Sequence, residues 1–110
     1  MNLRNHDLSS LRSIKEFIDK NIAAHFTLDD LARKAGINKD KLTKGFKQEY
    51  KKTVFAYLRE ARLCKAKELL ENSPLSEPVI AKRTGFKSVK GFINAFKKKY
   101  NCLPHTLRKK

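Results

Sequence analysis

Apolar residues recur at intervals of three and four along nearly the whole of this chain, the spacing of helices that turn one face to a core. Leu11, Ile14, Phe17, Ile18 and Ile22 mark an amphipathic helix from about Asp7 to Ala24. Thr27-Leu28-Asp29-Asp30 then has the form of a capping box, with Thr27 at the cap and an acid three residues on. It opens a short helix that Gly36 stops. A longer pattern from Val54 to Leu70 carries Leu58, Ala61, Leu63, Ala66, Leu69 and Leu70. Asn72-Ser73-Pro74 ends it, because Pro74 lacks an amide donor and disfavours helix in the residue before it. Pro104 is placed to start one short final helix. No segment alternates as a strand does, and no Gly/Ser-rich linker appears, so the pattern predicts an all-α fold.

Two stretches of the pattern are copies of each other. Leu31-Ala32 precedes Gly36-Ile37-Asn38, Leu42, Phe46-Lys47 and Tyr50; Ile80-Ala81 precedes Gly85-Phe86, Ser88, Phe92, Phe96-Lys97 and Tyr100. The offset is 49 residues up to the glycine and 50 after it, so the second turn is one residue longer. In each copy a helix ends at glycine, a short turn follows, and a polar cap, Asn38 or Ser88, opens a second helix. Gly36 and Gly85 are expected at positive φ, which side-chain-bearing residues adopt at a steric cost. This is the layout of a helix-turn-helix, whose second helix lies in a DNA major groove. The expected organisation is a first helix-turn-helix unit over 1–52, a linking helix over 53–72 and a second unit over 73–110. The seventeen residues from Val54 to Leu70 give a rod of roughly 25 Å at about 1.5 Å per residue. Adding the widths of the flanking units puts the two second helices on the order of 34 Å apart, one turn of B-DNA.

The periodicity also sorts the two second helices into faces. Phe92, Phe96 and Tyr100 form a buried stripe in the second copy, which leaves Val89, Lys90, Ile93, Asn94 and Lys97 outward. In a recognition helix Asn94 can pair with adenine, Lys90 can donate to guanine, and Val89 or Ile93 can touch a thymine methyl. In the first copy Leu42, Phe46 and Tyr50 are the expected core, and Lys39, Asp40, Thr43, Lys44 and Lys47 face out. Thr43 and Lys44 align with Ile93 and Asn94, and Asp40 aligns with Lys90. Asp40 either accepts from a cytosine amino group or is a first-turn acid favoured by the helix dipole. Lys47, Lys87, Ser88, Lys97, Lys98, Lys99, Arg108 and the terminal Lys109-Lys110 are candidate phosphate contacts, which fix position without reading sequence. Arg59 and Arg62 on the linking helix stay ambiguous between packing and backbone contact.

Charge sharpens this picture. The 110 residues carry a net +15, and from Pro78 to Lys110 there are ten Lys or Arg and no acid. A solubility surface mixes its signs; an acid-free third points to a polyanion. Cys64 and Cys102 form no visible disulfide framework and read as reduced thiols. With no signal peptide and no apolar run of membrane-spanning length, the chain is expected to be soluble and cytoplasmic, with no membrane partner. His6, His25 and His105 match no metal-ligand spacing, and there is no phosphate-binding glycine loop and no nucleophile beside a base. Neither an enzyme nor a cofactor is expected.

The stretch Ile80-Ala81-x-x-x-Gly85-Phe86-x-Ser88-x-x-x-Phe92-x-x-x-Phe96-Lys97-Lys98, with Pro104 and Arg108 beyond it, resembles the signature of AraC/XylS-type transcription regulators. Leu31-Ala32, Gly36, Leu42, Phe46-Lys47, Tyr57-Leu58, Arg62, Ala66 and Leu69-Leu70 agree with it, so the resemblance runs from about Leu11 to Arg108. It implies about seven helices in two homeodomain-like helix-turn-helix subdomains joined by a long helix. It also implies double-stranded promoter DNA as partner, and RNA polymerase as a second partner of the members that activate. Lys44-Gly45-Phe46-Lys47 with Thr53-Val54-Phe55-x-Tyr57-Leu58-Arg59 resembles the iron-siderophore-responsive branch. The chain departs from the family at Asn94, where Arg is frequent, and at Lys51 and Asn101, where Gly is common. Leu103 and Leu107 depart at positions usually Thr or Ser and Tyr or Phe. The family commonly adds an effector or dimerisation domain, so the expectation is a monomer in isolation, either a short stand-alone member or part of a longer protein that dimerises elsewhere. The rival expectation is a basic helical module that binds RNA or an acidic protein without reading sequence. Salt separates the two: a purely electrostatic binder has similar affinity and a similar steep salt slope on every duplex.

Overall fold

The computed structural model describes residues 2–108. Among them run α1 (Asn5–Lys20), α2 (Leu28–Ala35), α3 (Lys39–Tyr50), α4 (Val54–Asn72), α5 (Glu77–Arg83) and α6 (Val89–Tyr100), with a 3-10 turn at Pro104–Leu107. There is no strand among the described residues, and the seventh helix is that single 3-10 turn. The chain divides into two compact units, Met1–Leu58 and Arg59–Lys110, with the division inside α4. Val54 and Leu58 of α4 belong to the core of the first unit, and Leu63, Ala66 and Leu70 to that of the second.

In the first unit, the Arg4 amide donates to the Asp7 carboxylate at 3.0 Å and closes the first turn of α1. The helix ends at Lys20, four residues short of the Ala24 that the spacing predicts. Asn21 is the physical reason: its side-chain amide donates to the Phe17 carbonyl at 2.9 Å, a local bond that competes with continued helix. Ile22 still packs against the core from beyond the helix. The expected capping box at α2 forms, with the Asp30 amide donating to Thr27 Oγ1 at 3.1 Å and the Thr27 amide to Asp30 Oδ2 at 3.0 Å. Leu11, Ile14, Ile18, Leu31, Leu42 and Phe46 close the core. The Phe46 ring lies 4.7 Å from Tyr50 and 5.7 Å from Tyr57, centroid to centroid. Gly45 lets α3 approach closely: a Cβ there would stand 3.2 Å from the side chains of both Leu11 and Leu3.

The second unit repeats the plan with different local chemistry. Ser76 Oγ accepts from the Val79 amide at 3.4 Å and caps α5, with Pro78 in the first turn. Thr84 ends α5 fully buried, and its hydroxyl is satisfied by donating to the Ile80 carbonyl at 2.8 Å. Ile80, Ala81, Phe92 and Phe96 meet Leu63, Ala66 and Leu70 in the core. Phe86, Phe92, Phe96 and Tyr100 form a continuous run of ring contacts with centroids 4.6–5.8 Å apart. Gly36 and Gly85 take the expected positive φ, 70° and 95°. Lys51 and Asn101, which follow α3 and α6, also sit there at 64° and 58°. These are two of the positions where the chain lacks the family's common glycine, so the left-handed turn is kept without it.

Candidate nucleic-acid interface

Each second helix is aimed by its cap. Asn38 Oδ1 accepts from the Lys41 amide at 2.7 Å, and Ser88 Oγ from the Gly91 amide at 3.0 Å. Both caps therefore fix which residue is first in the helix, and a step of about 100° per residue fixes the rest. With Leu42 and Phe46 fully buried, α3 exposes Lys39, Asp40, Thr43, Lys44 and Lys47. Tyr50, expected in the core, is half-buried, and burial raises its phenol above the ordinary range. Gln48 is exposed as well and continues the row of Asp40 and Lys44 at four-residue spacing. Its amide can serve adenine as Asn does. Nothing but that spacing marked it in the sequence.

Acids accompany the cations of α3. Lys39 lies 3.8 Å from Asp29 of α2, and Lys44 lies 3.2 Å from Asp40 one turn before it. Lys41 points inward instead, to the buried Asp7 carboxylate at 3.3 Å. The Arg4 amide and Lys41 together hold the Asp7 carboxyl below the usual carboxylate range. Asp7 thus ties the start of α1 to the first turn of α3. Thr43 donates its hydroxyl to the Lys39 carbonyl at 2.8 Å and leaves its methyl for contact.

On α6 the exposed face is Lys90, Asn94, Lys97 and Lys98, with Lys87 and Ser88 exposed in the turn before it. Among the described residues Lys90, Lys97 and Lys98 have no carboxylate partner. Val89 and Ile93 are half-buried, and Ile93 packs against the core of its unit. They flank the buried stripe rather than stand opposite it. Lys99 reaches Glu60 at 3.8 Å and lies over the Tyr100 ring at 5.5 Å. Arg108 is half-buried and donates from Nη1 to the Ser73 carbonyl at 2.9 Å and from Nη2 to the Leu75 carbonyl. Lys109 and Lys110 lie outside the described residues.

The two arginines of α4 separate cleanly. Arg62 is half-buried, and desolvation lowers its pKa. Arg59 is exposed and lines an open cleft of about 380 Å³ with Phe86, Gly91, Asn94, Ala95 and Lys98. Arg59, Asn94 and Lys98 supply the polar part of this lining, beside the apolar Phe86 and Ala95 and the bare backbone of Gly91. Such a cleft admits a phosphate or a base edge and offers donors to either. Charge divides unevenly: the first unit holds twelve Lys or Arg and seven acids, the second fourteen and four.

Cys64 and Cys102 are free thiols. No group of three His, Cys, Asp or Glu that could hold a metal ion occurs among the described residues, and no helix there is long and apolar enough to cross a membrane.

A helix-turn-helix domain family model matches residues 31–110. The chain is 32% identical over 102 residues to the HTH-type transcriptional activator RhaR of Mannheimia succiniciproducens, across 93% of this chain and 37% of RhaR. It is 28% identical over 110 residues to the multiple antibiotic resistance protein MarA of Escherichia coli, across 98% of this chain and 85% of MarA. The chain therefore spans about a third of the length of RhaR and most of MarA. Among solved structures, the C-terminal domain of AraT, a response regulator from Geobacillus stearothermophilus, aligns with a TM-score of 0.85 at 29% identity, over 90% of this chain and 83% of that one. With two capped helix-turn-helix units and a family match over most of its length, the chain belongs to the AraC-type helix-turn-helix family of DNA-binding transcription regulators.

Proposed function

We propose that the chain binds double-stranded promoter DNA in a sequence-specific way, with α3 and α6 in two adjacent major grooves, and that it activates transcription in the cytoplasm. One observation carries this reading: both recognition helices keep a polar face exposed at aligned positions, although a non-specific binder needs no such register. Asp40, Thr43, Lys44 and Lys39 of α3, and Lys90 and Asn94 of α6, are the proposed base-reading residues. Val89 and Ile93, being half-buried, reach at most the methyl groups at the edge of the groove. Lys47, Lys87, Ser88, Lys97 and Lys98 hold phosphates. Lys99 and Arg108 join them where their intramolecular partners leave donors free. Activation is supported by the likeness to RhaR, a transcriptional activator, and brings RNA polymerase in as a second partner.

Selection of bound sequences from a random duplex library, at physiological salt with competitor DNA, tests the reading. The expected product is two short boxes centred about 10 base pairs apart, one helical turn. A single box would confine base reading to one unit. No enrichment would overturn the reading in favour of a basic module for RNA or an acidic partner.

A further inference from the structure

The aligned positions of the two recognition helices differ in one chemical respect. Where α6 has Lys90 and Asn94, α3 has Asp40 and Lys44, an acid and a base one turn apart and 3.2 Å from each other. Both side chains are about two-thirds exposed, 68% and 66%, so the pair is surface-borne and readily exchanged for other partners. No carboxylate lies on the α6 face, because the sequence has none from Pro78 onward. An acid on a DNA-reading face is costly by default: it meets phosphates, and most major-groove edges present acceptors to it.

We propose that Asp40 and Lys44 act as one unit that selects a C·G base pair, with Asp40 as the gate. This rests on the DNA-reading function proposed above. In the major groove, a C·G pair presents its single donor, the cytosine N4 amino group, at one side and the guanine O6 and N7 acceptors at the other. A separated carboxylate and ammonium match that separated pattern: Asp40 accepts from cytosine and Lys44 donates to guanine. In an A·T pair the adenine amino group lies between two acceptors, N7 of adenine and O4 of thymine, which flank an incoming carboxylate. At such a site Asp40 keeps Lys44 to itself and repels the edge. The carboxylate thereby acts as the repulsive element that specificity requires, lowering affinity for wrong sequences more than it raises affinity for the right one. Asp40 is a specificity-determining residue, and the gate belongs to α3 alone.

The test compares wild type with Asp40→Ala and Lys44→Ala on the selected duplex, on its full set of single base-pair substitutions, and on random duplex, at one salt concentration. Wild type is expected to prefer C·G at one position of one box. Asp40→Ala is expected to bind random duplex several-fold more tightly and to lose at least about fivefold in discrimination at that one position, leaving the other positions unchanged. Lys44→Ala is expected to lose preference at the same position while binding all duplexes more weakly. If Asp40→Ala raises affinity for every duplex equally and leaves all base preferences intact, Asp40 is a bystander charge and the gate is wrong. If the preference lost is for an A·T pair, the cytosine assignment is wrong. A wild-type chain with no sequence preference would overturn the function itself, and the gate with it.

Discussion

Asn94 offers the cleanest separation of binding from folding. Its side chain is exposed, makes no hydrogen bond among the described residues, and stands on the helix face away from the buried Phe92 and Phe96. Truncation to alanine therefore opens no cavity and orphans no buried group. Alanine is also the better helix former, by up to about 0.7 kcal/mol, so Asn94→Ala should melt no lower than wild type. Whatever affinity is lost is lost at the interface. A bidentate amide contact to adenine is worth about 1–3 kcal/mol of discrimination, which at about 1.4 kcal/mol per decade is roughly a 5- to 150-fold weakening on the selected duplex. Fluorescence anisotropy with that duplex, its three single base-pair variants at each position, and a random duplex reads the effect directly. Base preference should vanish at one position, an A·T pair, while affinity for random duplex stays within about twofold of wild type. An equal loss on random duplex would make Asn94 a general backbone contact. Unchanged affinity for the selected duplex would remove α6 from base reading.

Lys98, exposed beside Arg59 in the α6 cleft, should behave in the opposite way. Lys98→Ala is expected to weaken all duplexes alike and to flatten the slope of log affinity against log salt by about 0.9 in titrations over a salt series. Lys51 holds a left-handed conformation at the end of α3, so Lys51→Gly should stabilise the chain by about 1 kcal/mol in denaturant unfolding. Asn101→Gly should gain less, since asparagine tolerates that conformation better. Acid should weaken the contact of α1 with α3 through Asp7. Its folded pKa is lowered, chiefly by the Arg4 amide and then by Lys41. The stabilisation is therefore complete above the ordinary value near 3.8 and is lost as pH falls through the lowered folded value. Asp7→Asn should flatten this part of the pH dependence of unfolding, and an unchanged profile would contradict the role given to Asp7.

Most of the scaffold was legible because its signals are local. Thr27 with Asp30, Asn38, Ser88, Gly36 and Gly85 each act within four residues of themselves, and they take the predicted roles except that α5 ends at Thr84, one residue before Gly85, which keeps only the expected positive φ. The end of α1 is not legible from the pattern, because apolar periodicity continues through Ile22 while Asn21 bonds back to Phe17. The faces of the recognition helices followed from the Phe46 and Phe96 positions, but their edges did not. At 100° per residue Val89 falls about 60° and Ile93 about 100° from Phe92, so both flank the core stripe instead of opposing it. Periodicity counted in whole turns blurs that distinction. Contacts between elements left no local trace at all. Lys41 reaching Asp7, Arg108 closing on Ser73 and Leu75, Gly45 admitting Leu11, and Arg59 flanking Asn94 depend on how helices pack. Residues 33 to 35 positions apart in sequence carry no spacing rule that would pair them.

The central claim is that two recognition helices read bases on one duplex, and methylation interference on the selected sequence tests it most directly. Methylating guanine N7 blocks the major-groove edge without touching the backbone, so interference maps base reading alone. The expected result is two clusters of interfering positions on one face of the duplex, centred about 10 base pairs apart, with the guanine interference of the α6 cluster lost in Lys90→Ala. A single cluster, or interference spread evenly over the duplex, would contradict reading by two helices.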